Sequence, residues 1–450
     1  MTRAVSHDSL GVTLWRQTWP MAIGVLALLG FQLVDSAFIA RLGTAPLAAQ
    51  SFTFPLSFLV IGLQVGLGIA IAALISRALG ANEQARARRL GSLVLLAGGA
   101  IIALLAIGLW LAQAWIFTRL GADSTSLELI RAYWPPQLLA AWLGAVLYFG
   151  YSLFRAHGDT WLPGKMMVIT SLINMALDPL LIFGVGSWDG LGLPGAAWAT
   201  VVAFSTGLVV LARRLRHTDW LSSIGLVGEL RQSGGVFFGI AGPAMISQLM
   251  PPLAAMLAIS VVATLGETQV AAWGLASRLE TLSLMVVLAM TMSLPPWLGR
   301  CYGTGDWDQI HHLLQLALKV VVFWQLSLGI LLAVFSPWVA LALSGNPEVR
   351  DDLAILIRFL QPSYAALGIC MLVVSAGNAL GWPLRAMLMS GARLFVFYLP
   401  CLWVGAWLMD GLVGLAIGAA VGNLLAGFAA WQLLKRILTS PRRRPPVVAR

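Results

Sequence analysis

The chain has 450 residues, 59% of them hydrophobic and 10% charged, with a mean hydropathy of +0.86; that is far more apolar surface than a water-soluble fold can bury. A formal net charge of +10 does not argue for a nucleic-acid partner, because the basic residues sit in short loops between membrane-length apolar segments. Cys301, Cys370 and Cys401 all lie in or beside such segments, so they are read as packing residues and not as a disulfide framework.

Arg3, His7, Asp8, Arg16 and Gln17 precede a long apolar stretch with no small-residue cleavage site after it, so that stretch is expected to remain as the first span. A helical crossing needs about 20 apolar residues. Reading for that length predicts spans near 15–40, 47–75, 90–117, 133–154, 163–187 and 194–213, and then near 236–264, 269–297, 311–336, 354–380, 385–409 and 412–434. The expected architecture is therefore an all-α integral membrane protein of twelve transmembrane helices. With both termini on the cytoplasmic side, 22 Lys and Arg residues fall inside, Arg77, Arg86, Arg88, Arg89, Arg213, Arg214, Arg385 and Arg393 among them, and five fall outside. That bias sets the predicted orientation. The proline-rich basic tail from 438 to 450 is read as an anchor at an anionic leaflet.

An internal repeat covers nearly the whole chain. An offset of 223 aligns Pro20 with Pro243, Leu42-Gly43 with Leu265-Gly266, Ala48-Ala49 with Ala271-Ala272, Arg77 with Arg300 and Gly80 with Gly303. Further on, an offset of 219 aligns Gly158-Asp159 with Gly377-Asn378 and Gly195 with Gly414. Two six-helix lobes follow, 1–216 and 236–437, with 217–235 as an amphipathic linker between them. An even number of spans per lobe implies a pseudo-twofold axis along the membrane normal.

Two motifs resemble nucleotide sites and are rejected on context. Gly190-Leu-Gly192-Leu-Pro194-Gly195 fits a dinucleotide fingerprint, but it joins two hydrophobic helices with no strand before it, so its glycines are turn residues. Gly158 to Lys165 has one residue too many for a phosphate loop, and Met166 stands where a hydroxyl would hold magnesium. The histidines are scattered or, at His311 and His312, adjacent in a loop, which gives no metal-ligand spacing. Neither an enzyme activity nor an organic cofactor is expected.

Ionisable residues within spans are costly and mark ion or substrate pathways by default. Asp35 in span 1 and Asp178 in span 5 both fall in the outer half of the first lobe, where they can share one cavity. Asn174 lies one turn before Asp178 on the same helix face, and Pro179 frees the Met175 carbonyl by donating no hydrogen bond. Together these oxygens make a cation nest; the alternatives are a proline kink with locally satisfied polar groups and, for Asp35, a carboxylate snorkelling to the interface. Two carboxylates in a low-dielectric site cannot both stay ionised cheaply, so a proton, sodium and a cationic substrate would compete there. The offsets place Ala258 opposite Asp35 and Phe397 opposite Asp178, so the acidic pair belongs to one lobe. In the second lobe Arg278 and Glu280 lie in span 8, two residues apart and on different faces, either as structural ion-pair partners of other helices or as a second polar site. Three intramembrane acids thus stand against one base.

Val34-Asp35-Ser36, Arg41-Leu42-Gly43, Arg155-Ala-His-Gly158-Asp159-Thr160, Asn174-Met-Ala-Leu-Asp178-Pro179, Gly195-Ala-Ala-Trp-Ala-Thr200, Ser277-Arg278-Leu279-Glu280 and Asn378-Ala-Leu-Gly381-Trp-Pro383 follow in an order that resembles the bacterial multidrug and toxic compound extrusion (MATE) family along residues 10 to 437. The resemblance implies two lobes that alternate between inward and outward openings in the bacterial cytoplasmic membrane. It also implies a monomer that exports amphipathic, mostly cationic small molecules in exchange for H+ or Na+. Under it, Asp35, Asn174, Asp178 and Thr200 form the cation site, Na+ included; Thr200 is otherwise a threonine bonded back to its own helix. Span 7 carries no acid and span 8 carries Arg-x-Glu, which resembles the DinF-type branch. The alternative function is a flippase for a lipid-linked precursor.

Overall fold

The computed structural model describes residues 7–409 and 411–439, and among them regular structure is entirely helical. In chain order the helices are α1 (His7–Ala40), α2 (Thr44–Gly80), α3 (Gln84–Leu111), α4 (Gln113–Arg119), α5 (Ser124–Ala156), α6 (Trp161–Phe183), α7 (Leu193–Leu215) and α8 (Leu226–Ala263). They continue as α9 (Glu267–Ser283), α10 (Met285–Thr304), α11 (Trp307–Val334), α12 (Ser336–Leu343), α13 (Pro347–Ala379), α14 (Pro383–Gly391), a π-helical segment (Ala392–Tyr398), α15 (Leu399–Leu408) and α16 (Leu412–Thr439). Eleven helical stretches are long and apolar enough to cross a membrane, with α14, the π segment and α15 forming one of them; α9 and α10, bent by 41° at their junction, make the twelfth. Of the stretch read as a linker, residues from Leu226 on are already the first turns of α8. The basic tail lies, from 440 on, outside the described residues.

Helix boundaries recur at the interval of the repeat because the same local signals recur. Gly43 and Gly266, with φ of 110° and 135°, precede α2 and α9 in a backbone region closed to side chains with a Cβ. Asp123 and Asn346 cap α5 and α13, each accepting a backbone N–H at 2.9 Å. Ala112 and Phe335 separate α3 from α4 and α11 from α12. Gly158 and Gly381, at φ 90° and 86°, follow α5 and α13, so the 223-residue interval persists there and the pairing of Gly158 with Gly377 is corrected. The interval drops to 219 only at α7 and α16. Between these points the second-half helix is longer, 26 residues against 23 in α6, and contains the π segment; the interval falls because the connection to the next helix is shorter, from 408 to 412 against 183 to 193.

Packing divides the chain into two units, and the boundaries fall inside α1 and α8: one unit is residues 19–248, the other the start of α1 to Thr18 together with residues from Leu249 on. The first has a core centred on Leu67, Ile71, Phe117, Trp134 and Phe149; the second on Val287, Leu313, Leu353 and Leu415. In the second unit Gly414, Gly418 and Gly422 put a small residue every turn along α16. A Cβ at Gly418 would strike the Cys401 carbonyl and Gly405 on α15, and one at Gly422 the Phe397 backbone. Helices approach this closely only where side chains are missing, and van der Waals contact then holds them in lipid.

In the first unit the α8 start is fixed by charge. The Glu229 carboxylate, 2% exposed, accepts from Arg86 Nε at 3.2 Å, Arg89 Nε at 3.0 Å and Ser233 Oγ at 2.6 Å. His157 stacks on Trp220 from the preceding loop, with centroids 3.9 Å apart. Two basic residues that the sequence shows only as orientation signals therefore also bind α8 to α3.

Gly418→Val is expected to cost about 1–3 kcal/mol by overpacking the α15–α16 seam; thermal melts in detergent should show the loss, with Gly274→Ala, where nothing lies within 4 Å, as the neutral control. Glu229→Ala removes the carboxylate shared by Arg86 and Arg89, leaving Arg86 its contacts with Glu83 and Ser233, and is expected to destabilise the first unit by about 1–3 kcal/mol; an unchanged melting midpoint would show the clamp to be incidental.

Candidate functional site

Five helices of the first unit bring the polar residues together. α6 is apolar except on the face that carries Ser171, Asn174 and Asp178, all buried, because a strip repeating every three to four residues is turned inward while leucines face out. Pro179 sits inside α6 without ending it. Asp178 has no exposed surface and Asn174 is 2% exposed. α7 supplies Thr200, which is half-buried; its hydroxyl donates to the Ala196 carbonyl at 3.1 Å, so the back-bonding alternative also holds.

Asn174 links Asp178 to Thr200. Its Nδ2 donates to both Asp178 oxygens, at 3.1 and 2.9 Å, and its Oδ1 accepts from the Thr200 N–H at 3.1 Å and lies 2.8 Å from the Thr200 hydroxyl. The amide thus pairs a buried carboxylate with the start of α7 and leaves neither of its own ends without a partner.

Asp35 on α1 completes the group. It is half-buried, one carboxylate oxygen is buried without a partner, and the charge lies within electrostatic reach of Asp178. An oxygen turned inward is the opposite of snorkelling. Two residues that sequence reasoning did not place here also belong: Tyr133 on α5, 4% exposed, lies beside Gln50 on α2, 5% exposed, and within reach of the Asp35 charge. Gln50 had a weak signal as a polar residue in a span, whereas a tyrosine in a tryptophan- and proline-rich helix start had none. Among the described residues no group of three or more His, Cys, Asp or Glu could hold a metal, so a cation here would rest on two carboxylates, an amide and a hydroxyl, the all-oxygen set that hard cations take.

In the second unit Arg278 is exposed and Glu280 half-buried, so the structure does not bring them together. Glu280 accepts from Tyr364 Oη at 3.0 Å and lies within electrostatic reach of Arg393 instead. Arg393, counted above among cytoplasmic charges, stands in the π segment of a membrane-length helix, which makes three intramembrane acids against two bases.

The MatE family model matches this chain twice, over residues 20–180 and 243–404, which covers most of both halves of the repeat. The chain belongs to the MatE family. It is similar to the Vibrio cholerae MATE transporter VcmN, whose D35N mutant structure is 45% identical, superposes with a TM-score of 0.94 and is matched over 97% of this chain and 99% of that one. It is 33% identical over 435 residues to a FAD transporter of Shewanella oneidensis, covering 95% of each protein. The multidrug export protein MepA of Staphylococcus saprophyticus is 23% identical, over 88% of this chain and 86% of that one. This MATE chain is thus a multi-pass membrane transporter and not an enzyme.

Asn174→Leu removes the amide that donates to both oxygens of the buried Asp178 and is expected to destabilise the first unit by about 1–3 kcal/mol. Thermal melts in detergent measure this, and an unchanged midpoint would remove Asn174 from the pairing of Asp178.

Proposed function

We propose that this MATE transporter exports amphipathic, mostly cationic small molecules in exchange for H+ or Na+ by alternating access, from a bacterial cytoplasmic membrane with both termini inside. The coupling ion would bind at Asp35, Asp178, Asn174 and Thr200. One observation carries the reading: a fully buried carboxylate lies in the field of a second one, with an amide that donates to both of its oxygens. A proton, a sodium ion or a cationic substrate each relieves the same repulsion, so that occupancy by one opposes occupancy by another. Multidrug-named relatives such as MepA support the substrate class.

A second reading, export of an anionic dinucleotide, is favoured by the 33% identity to a protein named FAD transporter. It changes the cargo and leaves the coupling site as it is.

Counter-transport in proteoliposomes separates the readings. A fluorescent organic cation and FAD are each followed under an imposed sodium or pH gradient, for the parent protein, Asp35→Asn and Asp178→Asn. Gradient-driven movement of the cation, lost roughly tenfold or more in either variant, is the expected result, and the effective gradient names the ion. Movement of FAD alone would establish the second reading. Full coupling in both variants would remove these carboxylates from the mechanism.

A further inference from the structure

The second unit holds a charged cluster that the coupling site above does not use. Glu280 on α9 accepts the Tyr364 hydroxyl of α13 at 3.0 Å, while Arg393 and Tyr398, both on the π segment, lie within electrostatic reach of that carboxylate. Arg393 and Glu280 are half-buried, so both have some accessible surface. They are nevertheless not in ion-pair contact, and among the described residues no group hydrogen-bonds the Arg393 guanidinium.

This is an expensive arrangement to keep. A guanidinium in a membrane span costs free energy that a closed ion pair would offset best, yet here five N–H donors stand open a short way from a carboxylate. The backbone is also distorted at this place. The Leu399 N–H bonds to the Leu394 carbonyl five residues back, and Pro400 can donate to none, so the helix widens where Arg393 sits. The first half of the repeat has neither feature: α6 is three residues shorter and α-helical throughout, and at the 223-residue interval Ser57 and Thr170 occupy the positions of Glu280 and Arg393.

We infer that Arg393, with Tyr398 beside it on the same π segment, is a binding subsite for one oxyanion group, a phosphate or a carboxylate, on a transported molecule. The ligand displaces Glu280 as the counter-charge of the guanidinium. A planar fork of donors suits either oxyanion, which it grips through two parallel hydrogen bonds. Glu280 keeps the charge balanced while the subsite is empty and repels an anion that is not held by the fork. The inference rests on the small-molecule transporter reading but not on its coupling ion.

Binding to the full-length protein in nanodiscs tests it with two matched pairs of fluorescent probes. Riboflavin 5′-phosphate and riboflavin differ by a phosphate; a rhodamine carboxylate and its ethyl ester differ by a carboxylate. The expected result is that in at least one pair the member bearing the phosphate or carboxylate binds roughly tenfold or more tightly than the member without it, the worth of one bidentate charge-assisted contact. Arg393→Gln should abolish that preference, Arg393→Lys should keep part of it, and Glu280→Gln should raise it. Whichever pair is discriminated identifies the oxyanion. Absence of preference in the parent protein for both pairs, or a preference unchanged in Arg393→Gln, overturns the subsite. Should Arg393→Gln fail to fold, the neutral double variant Arg393→Gln/Glu280→Gln replaces it, and Arg393→Lys with an undiminished preference would be equally fatal.

Discussion

Asp178 is a carboxylate with no exposed surface inside a bundle built to exclude water, and the first unit is arranged around the cost of keeping it there. Burial of an ionised carboxylate is tolerated only with hydrogen bonds or a neutralising partner. α6 therefore carries, one turn away, an amide that donates to both oxygens, α7 carries a hydroxyl on the far side of that amide, and α1 brings a second acid within electrostatic reach.

The two halves of the repeat share helix boundaries, caps and turn glycines, and they diverge in what they bury. Ala258 faces Asp35 across the repeat, and every position from 397 to 402 that could answer to Asp178 is uncharged. The second half in turn has Glu280 and Arg393 where the first has Ser57 and Thr170. Backbone signals are conserved between halves because both must cross the same thickness of lipid, whereas a buried charge is needed only once for each task it performs.

Much of this was legible in one dimension. Spans appeared at nearly the right places because hydropathy over about 20 residues is a local sum, and the repeat appeared because glycines with positive φ and capping side chains are dictated by the backbone at their own position. Asn174 and Asp178 could be paired because a helix fixes the relation between residues one turn apart. The errors were of another kind. Arg393 was counted with the loop charges because a π turn does not change hydropathy, and the alignment at Gly158 slipped to Gly377 because the shorter connection that lowers the interval lies only after the next helix.

From the sequence alone came the membrane-spanning class, the duplicated halves, the family and the acids of the first lobe, all of them properties of residues or of single helices. Only the tertiary structure decided that Tyr133, next to Gln50, stands within reach of Asp35, that Arg86 and Arg89 hold Glu229, and that the partner of Glu280 is Tyr364 with Arg393 nearby and not Arg278. The reason is physical: which faces of two helices meet depends on the depth and rotation at which they pack. Small residues such as the Gly414, Gly418 and Gly422 series set that register by shape, and shape leaves no mark on the composition of the helix it brings into contact.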